Sequence, residues 1–246
     1  MKLFQPDSSV TPARAAPADS GAVPAPESTR AEAARFALLC RIAPVLRHDM
    51  AGSMQPISMI AMVLQRRMQA PEPDMQAIAK NTASISALTK DAMAAGMDAM
   101  GWLTQRDDAP IELQAGLQEM TRMLTIELSA CGLQLVSEAG LHAPQVPRGF
   151  VRTVLVAAVL AFCDGPREAG TLSIRVESSL DNGSGGMPGS ALIVRRTPDP
   201  EAAGFAESLA PTRTRPIGWD DVQALASLFG VPVTLGAGWV KIRLPQ

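Results

Sequence analysis

The stretch LCRIAPVLRHDMAGSMQPISMIAMVLQRRMQAPEPD, residues 39–74, contains the pattern that decides the fold of this chain. Apolar side chains recur along it at helical spacing, in steps of three and four residues or their sums: Leu39, Ile42, Leu46, Ile57, Ile60, Leu64 and Met68. The run Pro71, Glu72, Pro73 and Asp74 then has the composition of a turn, and Asp74 is placed to cap a second helix. The stretch therefore predicts the first helix and the turn of a helical hairpin.

The helices of this hairpin extend on both sides of the turn. Thr29 and Glu32 form a capping-box pattern, so we expect the first helix to begin at Thr29 and to end near Ala70. The second helix should continue from the turn to about Thr104. Pro44 and Pro56 each remove a backbone donor inside the first helix and should strain it locally.

The rest of the chain divides into a tail and an α/β part. Residues 1–28 mix Pro, Ala, Ser and Gly without periodicity, which predicts a disordered tail. From Ile111 onward we expect a helix at 111–131, a strand at 133–136, a helix at 148–163, strands at 171–178 and 191–196, a helix at 219–229, and strands at 231–235 and 239–244. The predicted organisation is thus a 1–28 tail, a 29–105 hairpin and a 110–246 α/β domain, and the fold class is α+β.

The composition excludes several classes of function. The net charge of −2 does not provide the basic face of a nucleic-acid-binding protein. No apolar run of about 18 or more residues suggests a membrane span, so we expect a cytoplasmic protein. Cys40, Cys131 and Cys163 lack the short pairwise spacings of metal sites or disulfide frameworks, and reduced core residues are expected.

The apolar stripe of the hairpin also predicts an assembly. An isolated hairpin cannot cover its own stripe, and two copies would bury both stripes in a four-helix bundle. We therefore expect a homodimer. The methionines of the hairpin are interpreted mainly as adaptable filler of that bundle.

His48 is one of only two histidines in the chain and lies in Leu46-Arg47-His48-Asp49-Met50. Two helical steps of about 100° each separate it from Leu46, so it should face solvent, opposite the apolar stripe. A neutral imidazole is a competent nucleophile toward a phosphoryl group, and Asp49 could orient its ring. An exposed histidine is often no more than a surface residue, and this residue alone does not separate the two interpretations.

The segment around His48, Arg47-His48-Asp49-Met50-Ala51-Gly52-Ser53-Met54-Gln55, resembles the phosphoacceptor box of bacterial sensor histidine kinases and of the histidine phosphotransferases derived from them. The Arg-His-Asp opening and the glutamine seven residues after the histidine carry the likeness, which extends over about residues 30–246. The resemblance implies a hairpin for dimerisation and phosphotransfer, followed by an α/β sandwich similar to a kinase ATP-binding domain. It implies catalytic roles for His48 and Asp49, and partner contacts for Arg47, Gly52 and Gln55.

A further partner contact is expected on the second helix. The turn near residue 72 brings Gly96 level with His48, and small side chains there would leave room for a docked receiver helix. Close packing between the two helices of the hairpin explains a small residue equally well.

The chain departs from the kinase pattern where that family binds ATP. Ala157 and Ala161 stand where the resemblance places asparagines that ligate magnesium, and an alanine cannot ligate a cation. After Val194, residues 195–198 lack the aspartate that reads adenine, while residues 181–185 spell an aspartate-glycine motif where a hairpin turn is expected. Before the last helix, Gly218 is the one glycine of the expected phosphate loop.

These features predict a histidine phosphotransfer protein of a phosphorelay, which takes a phosphoryl group from a receiver aspartate onto His48 and passes it to another receiver. The expected partners are response regulator receiver domains and a second copy of the chain. No cofactor is expected, because the receiver would supply magnesium and ATP would not bind. Two alternatives remain open: a non-catalytic pseudokinase that docks and regulates a receiver or kinase, and an active histidine kinase with a diverged nucleotide site.

Overall fold

The computed structural model describes residues 26–104, 108–138, 144–166, 169–178, 190–199 and 214–245. Most of the predicted tail lies outside the described residues. So do the aspartate-glycine motif at 181–185 and His142, the second histidine.

The hairpin is formed by two long helices, α1 (Pro26–Met68) and α2 (Met75–Leu103). The predicted cap of α2 is confirmed, since the Asp74 carboxylate accepts the backbone N–H groups of Gln76 and Ala77, both at 3.0 Å. Helix α1 continues through Pro44 and Pro56 without interruption.

The predicted start of α1 is wrong by one turn. The helix begins at Pro26, and Thr29 lies inside it rather than at its cap. Proline is favoured in the first turn because the backbone donor that it lacks would have no partner there. Glu27 adds an acidic side chain to the same turn, where the helix dipole favours negative charge.

The α/β part begins with a strand that the sequence pattern did not predict. Strand β1 (Pro110–Glu112) contains Ile111, which we expected in a helix, and it pairs antiparallel with β3 (Gln145–Pro147). Strands of three residues are too short for a period-two pattern to emerge, and this one depends on a distant partner. Helix α3 (Leu113–Ala130) follows β1 directly.

The remaining elements form a five-stranded mixed sheet covered by helices. Its strands, in the order β2-β4-β5-β7-β6, are β2 (Leu133–Ser137), β4 (Gly170–Ser178), β5 (Ser190–Pro198), β7 (Trp239–Arg243) and β6 (Val233–Gly236). Only the pair β2–β4 is parallel. The helices are α3, α4 (Arg148–Phe150), α5 (Val156–Asp164) and α6 (Trp219–Ser227). The π-helical turn Val151–Leu155 joins α4 to α5. The predicted α+β class is confirmed.

One hydrophobic core extends from the sheet into the hairpin. Helix α5 is buried from Val156 to Cys163, as expected of a helix that is apolar all round. The same core includes the first half of α1, with the buried residues Ala31, Ala34, Ala37, Leu38, Ile42 and Leu46, and Ala99 and Trp102 at the end of α2. The half of the hairpin that is away from its turn is therefore packed against the α/β part. The division into two domains stays a prediction.

The hairpin also exposes a large apolar surface. Eight of its methionines have between 51% and 70% of their area open to solvent, and we call them the methionine surface: Met54, Met59, Met62, Met68, Met75, Met93, Met97 and Met100. Within one chain they fill no core. None of the helices among the described residues is both long and apolar enough to cross a membrane.

Candidate functional site around His48

The His48 side chain projects from α1 into solvent, as predicted. It is 88% exposed, whereas Leu46, two residues earlier, is buried in the core. Its Nδ1 atom lies 3.6 Å from Oδ1 of Asp49, which is beyond hydrogen-bonding distance. The imidazole is therefore next to a carboxylate without being fixed by it, and it can turn toward an approaching group.

Asp49 is held instead by an arginine of the α/β part. Nη1 of Arg122, on α3, donates to Oδ2 of Asp49 at 2.6 Å, and Nη2 of the same guanidinium lies 3.4 Å from Oδ2 of Asp98 on α2. One guanidinium thus contacts a carboxylate from each helix of the hairpin. This pairing fixes the position of Asp49 along α1 relative to that of Asp98 along α2. It agrees with the prediction that His48 lies beside Gly96 in the hairpin.

A second arginine connects Asp98 to the core. Arg152 lies in the π-helical turn with 4% of its side chain exposed, and it donates to Asp98 at 2.6 Å and to Glu119 at 2.7 Å. Its guanidinium lies 4.9 Å from the ring centre of Trp102, which is a cation–π contact. A Cβ atom on Gly101 would collide with this guanidinium, so a side chain at position 101 would force Arg152 to shift.

A third arginine joins the middle of α1 to two helices of the α/β part. Arg41 donates to Glu127 of α3 at 2.6 and 3.1 Å, and from Nη1 to both oxygens of Asp164 at 2.9 Å. Burial alone would lower the pKa of Arg41, but the hydrogen bonds to Glu127 and Asp164 raise it above its ordinary value. We call this buried cluster of Arg41, Glu127 and Asp164 the Arg41 clamp.

The predicted partner-contact residues lie close to His48 on the same helix. His48, Gly52 and Gln55 are spaced i, i+4 and i+7, so they share one face of α1, and all three are exposed. Arg47 is exposed on the adjoining face. Gly96 lies on α2 and is half-buried.

The two glycines are not required by packing within the chain. A Cβ atom built on Gly52 or on Gly96 meets no other atom within 4 Å. Close packing between α1 and α2, the alternative explanation for Gly96, is therefore not its reason. Space is left at both positions for something that approaches from outside the chain.

The region where the resemblance places a nucleotide has different chemistry. Ala157 and Ala161 are buried, and Ala161 borders a cavity of about 380 Å³ whose wall includes Arg196 and Trp219. Strand β5 extends two residues past its expected end at Arg196, because the ladder with β4 continues to Pro198. The sequence pattern ended this strand too early because its last residues are polar and exposed.

The backbone donors before α6 already have partners. The N–H of Ile217 donates to Asp164 at 2.7 Å, and the N–H of Gly218 donates to Asp221 at 3.0 Å. Burial alone would raise the pKa of Asp221, but the hydrogen bonds from Gly218 and Arg215 hold it below its usual value. The N–H groups of Ile217 and Gly218 are therefore already bound to carboxylates of the chain itself.

The sequence interpretation missed the three arginines, although two of them carried a signal. Arg152 is a charged residue inside an otherwise apolar helical run, and Arg41 lies between the apolar residues Cys40 and Ile42. Charged side chains in such positions are seldom buried unless they are paired. Arg122 follows no such pattern, since it is half-exposed on a mixed helix.

No family model and no curated protein matches this sequence. The solved structures that it resembles include histidine kinases. AdeS of Acinetobacter baumannii is 13% identical with a TM-score of 0.40, and the match covers 76% of this chain and 94% of that chain. A histidine kinase from Burkholderia phymatum STM815 is 15% identical with a TM-score of 0.39, covering 84% and 96%.

A third structure is the histidine kinase ThkA in complex with the response regulator protein TrrA. It is 15% identical with a TM-score of 0.38, and the match covers 89% of this chain and 64% of that chain. At these identities and TM-scores no residue role can be transferred from these proteins to this chain.

Proposed function

We propose that this protein is a histidine phosphotransfer protein, which accepts a phosphoryl group from a receiver-domain aspartate on His48 and donates it to a second receiver. The observation that carries the proposal is the 88% exposure of the His48 side chain. A nucleophile that must reach a phosphoryl group held by another protein needs an unobstructed approach. The open space at Gly52 and Gly96 provides room beside it.

The chemistry requires a neutral imidazole. One ring nitrogen attacks phosphorus, a P–N bond forms, and the P–O bond to the receiver carboxylate breaks, so that the carboxylate leaves with the electron pair. The proton stays on the other ring nitrogen until the phosphohistidine has formed. Transfer to the second receiver is the reverse reaction. The receiver brings the magnesium ion in both directions.

Two features support transfer without ATP. The methyl groups of Ala157 and Ala161 cannot ligate magnesium. The N–H groups of Ile217 and Gly218, which stand where a phosphate cradle would be needed, are bound to Asp164 and Asp221. These two N–H groups are therefore not free to bind a phosphate at the start of α6.

The exposed methionine surface supports a homodimer through the hairpin. An apolar surface of this extent is unusual on a monomer that stands alone in water. Met93, Met97 and Met100 follow the spacing i, i+4 and i+7 and form one face of α2, which a copy of the same helix could cover. A two-fold pair of hairpins would place two His48 side chains on one four-helix bundle.

One observation favours the docking regulator as the second candidate. Asp49 is engaged with Arg122 rather than with the imidazole of His48. The same exposed face could bind a receiver without any transfer, and His48 would then be dispensable.

A transfer assay separates the two candidates. The full-length protein is incubated with a panel of phosphorylated receiver domains, and an acid-labile, base-stable label is sought on it. We expect this label on the wild type and on Glu72→Gln, an exposed control at the turn of the hairpin, but not on His48→Gln. Glutamine preserves size and polarity but lacks the nucleophilic nitrogen.

Receiver binding by His48→Gln is then measured by calorimetry, and we expect it to be retained. If the wild type stays unlabelled by every receiver that it binds, transfer is refuted and the docking regulator is the better hypothesis. If His48→Gln still becomes labelled, another residue is the acceptor.

A further inference from the structure

Two of the three cysteines lie next to each other at the ends of two helices. Cys131 caps the C-terminal end of α3, and Cys163 lies in the last turn of α5. Each of the two thiols shifts the pKa of the other, lowering that of Cys131 and raising that of Cys163. Neither side chain has a role in the proposed transfer at His48.

The Arg41 clamp holds together the ends of the two helices that carry the cysteines. Arg41 binds Glu127, whose carbonyl oxygen accepts the backbone N–H of Cys131 at 3.0 Å, and it also binds Asp164, the residue after Cys163. A single guanidinium therefore spans the ends of both helices. The nearness of the two helix ends follows from the packing of α3 against α5 and from this shared guanidinium.

The surroundings of the two sulfurs differ. Cys131 is half-buried, while Cys163 is 8% exposed and belongs to the core. The hydrogen bond from Cys163 lowers the pKa of Cys131, and the nearby positive charge of Arg41 acts in the same direction against burial and Glu127. The same hydrogen bond, together with burial, raises the pKa of Cys163. Cys131 is thus the more accessible of the two thiols and the one whose pKa is lowered.

We infer that Cys131 and Cys163 form a redox-active dithiol that a peroxide oxidises to an intramolecular disulfide. A reactive cysteine of this kind is partly exposed, close to a positive charge and next to a second thiol that can resolve its oxidised form. Cys131 and Cys163 satisfy each condition. Along α1, His48 lies between the Arg41 clamp and the hairpin turn. The two cysteines lie on the other side of the clamp, so the dithiol is separate from the transfer site.

The reaction has two balanced steps. The Cys131 thiolate attacks one oxygen of hydrogen peroxide, an S–O bond forms as the O–O bond breaks, and the departing hydroxide takes up a proton as water. The Cys163 sulfur then attacks the sulfenic sulfur of Cys131, an S–S bond forms, the S–O bond breaks, and a second molecule of water leaves with the Cys163 proton. Two electrons pass from the two thiols to the peroxide.

The disulfide would join α3 to α5 where α1 is anchored. Glu127 and Asp164, the two ligands of Arg41, lie on these helices and close to the two sulfurs. Oxidation would therefore restrain the helix ends that hold the hairpin. A dithiol reductant would reverse it.

The test is a peroxide titration of the full-length protein, followed by alkylation with iodoacetamide and peptide mapping. We expect a Cys131–Cys163 cross-linked peptide that is two hydrogen atoms lighter than the reduced pair, while Cys40 remains alkylated. The control Cys40→Ser should give the same map. A Cys40 cross-link, or alkylation of both Cys131 and Cys163 after peroxide treatment, would overturn the inference.

Variants identify the attacking sulfur. In Cys163→Ser the sulfenic acid cannot be resolved, so we expect dimedone to label Cys131. In Cys131→Ser we expect neither dimedone labelling of Cys163 nor a disulfide. Dimedone labelling of Cys163 in Cys131→Ser would refute the order of the two steps. The wild-type map decides the inference even if the loss of buried Cys163 prevents folding.

Discussion

Replacing Arg41 with methionine is the sharpest test of how the hairpin is attached to the α/β part. Methionine keeps most of the apolar stem of the side chain but removes the guanidinium that pairs with Glu127 and Asp164. The Arg41 side chain is 1% exposed, and those of its partners are 17% and 9% exposed. The substitution therefore leaves two carboxylates where water has little access.

The structure sets the expected size of this effect. Removing one partner from a buried ion pair costs about 3–5 kcal/mol. Asp164 keeps the hydrogen bond from the backbone N–H of Ile217, and Glu127 is near enough to the surface to recover some hydration. We therefore expect the free energy of unfolding to fall by about 3 kcal/mol, the lower end of that range.

The assay is urea denaturation followed by circular dichroism at one fixed protomer concentration, because dimerisation would add to the apparent stability. Arg30→Met is the matched control. Arg30 is half-exposed and pairs with the exposed Asp220 and, at 3.3 Å, with the buried Asp221. Asp221 keeps Arg215 and the N–H of Gly218 when Arg30 is replaced, so the loss should cost less than about 1 kcal/mol. Adding Glu127→Gln to Arg41→Met should recover part of the loss, because one stranded charge disappears. A cost for Arg41→Met no greater than that for Arg30→Met would refute the reasoning.

Three further predictions concern the hairpin and the nucleotide region. Asp49→Asn should slow phosphoryl transfer without ending it, since the nucleophile stays while the charge beside it is lost; complete loss in a transfer time course would contradict this. Light scattering should give twice the chain mass at micromolar concentration, with Met97→Lys shifting it toward the monomer and Ile126→Lys, exposed on α3, leaving it unchanged. Calorimetry with ATP and magnesium should detect no binding, and micromolar affinity would favour the kinase hypothesis instead.

The local features of this fold could be predicted because their causes are local. The stripe of α1, the proline turn and the Asp74 cap each depend on residues a few positions apart, and the sequence located all three. The exposure of His48 followed from its angle to Leu46 on the same helix. The boundaries were less accurate where two signals competed, as at Pro26 and Thr29.

The attachment of the hairpin to the α/β part could not be predicted in this way. Arg41 finds Glu127 and Asp164 at distances of 86 and 123 residues along the chain, and no pattern within α1 specifies either partner. The same limit applies to the candidate site. Asp49 was expected to orient His48 because it is adjacent in sequence, but the partner within hydrogen-bonding distance is Arg122, 73 residues away.

The three arginine contacts also bear on the choice between transfer and kinase chemistry. A kinase that brought the terminal phosphate of ATP to His48 by moving its α/β part relative to the hairpin would have to break the contacts between them. Three arginines, Arg41, Arg122 and Arg152, connect the hairpin to the α/β part at three points, and Arg41 and Arg152 are buried. Breaking buried pairs during each cycle would cost several kcal/mol, on the order of 3 for each contact that loses its partner. A receiver that approaches His48 from solvent requires no such movement, and for this reason the clamped hairpin favours transfer between proteins over transfer from a nucleotide within the chain.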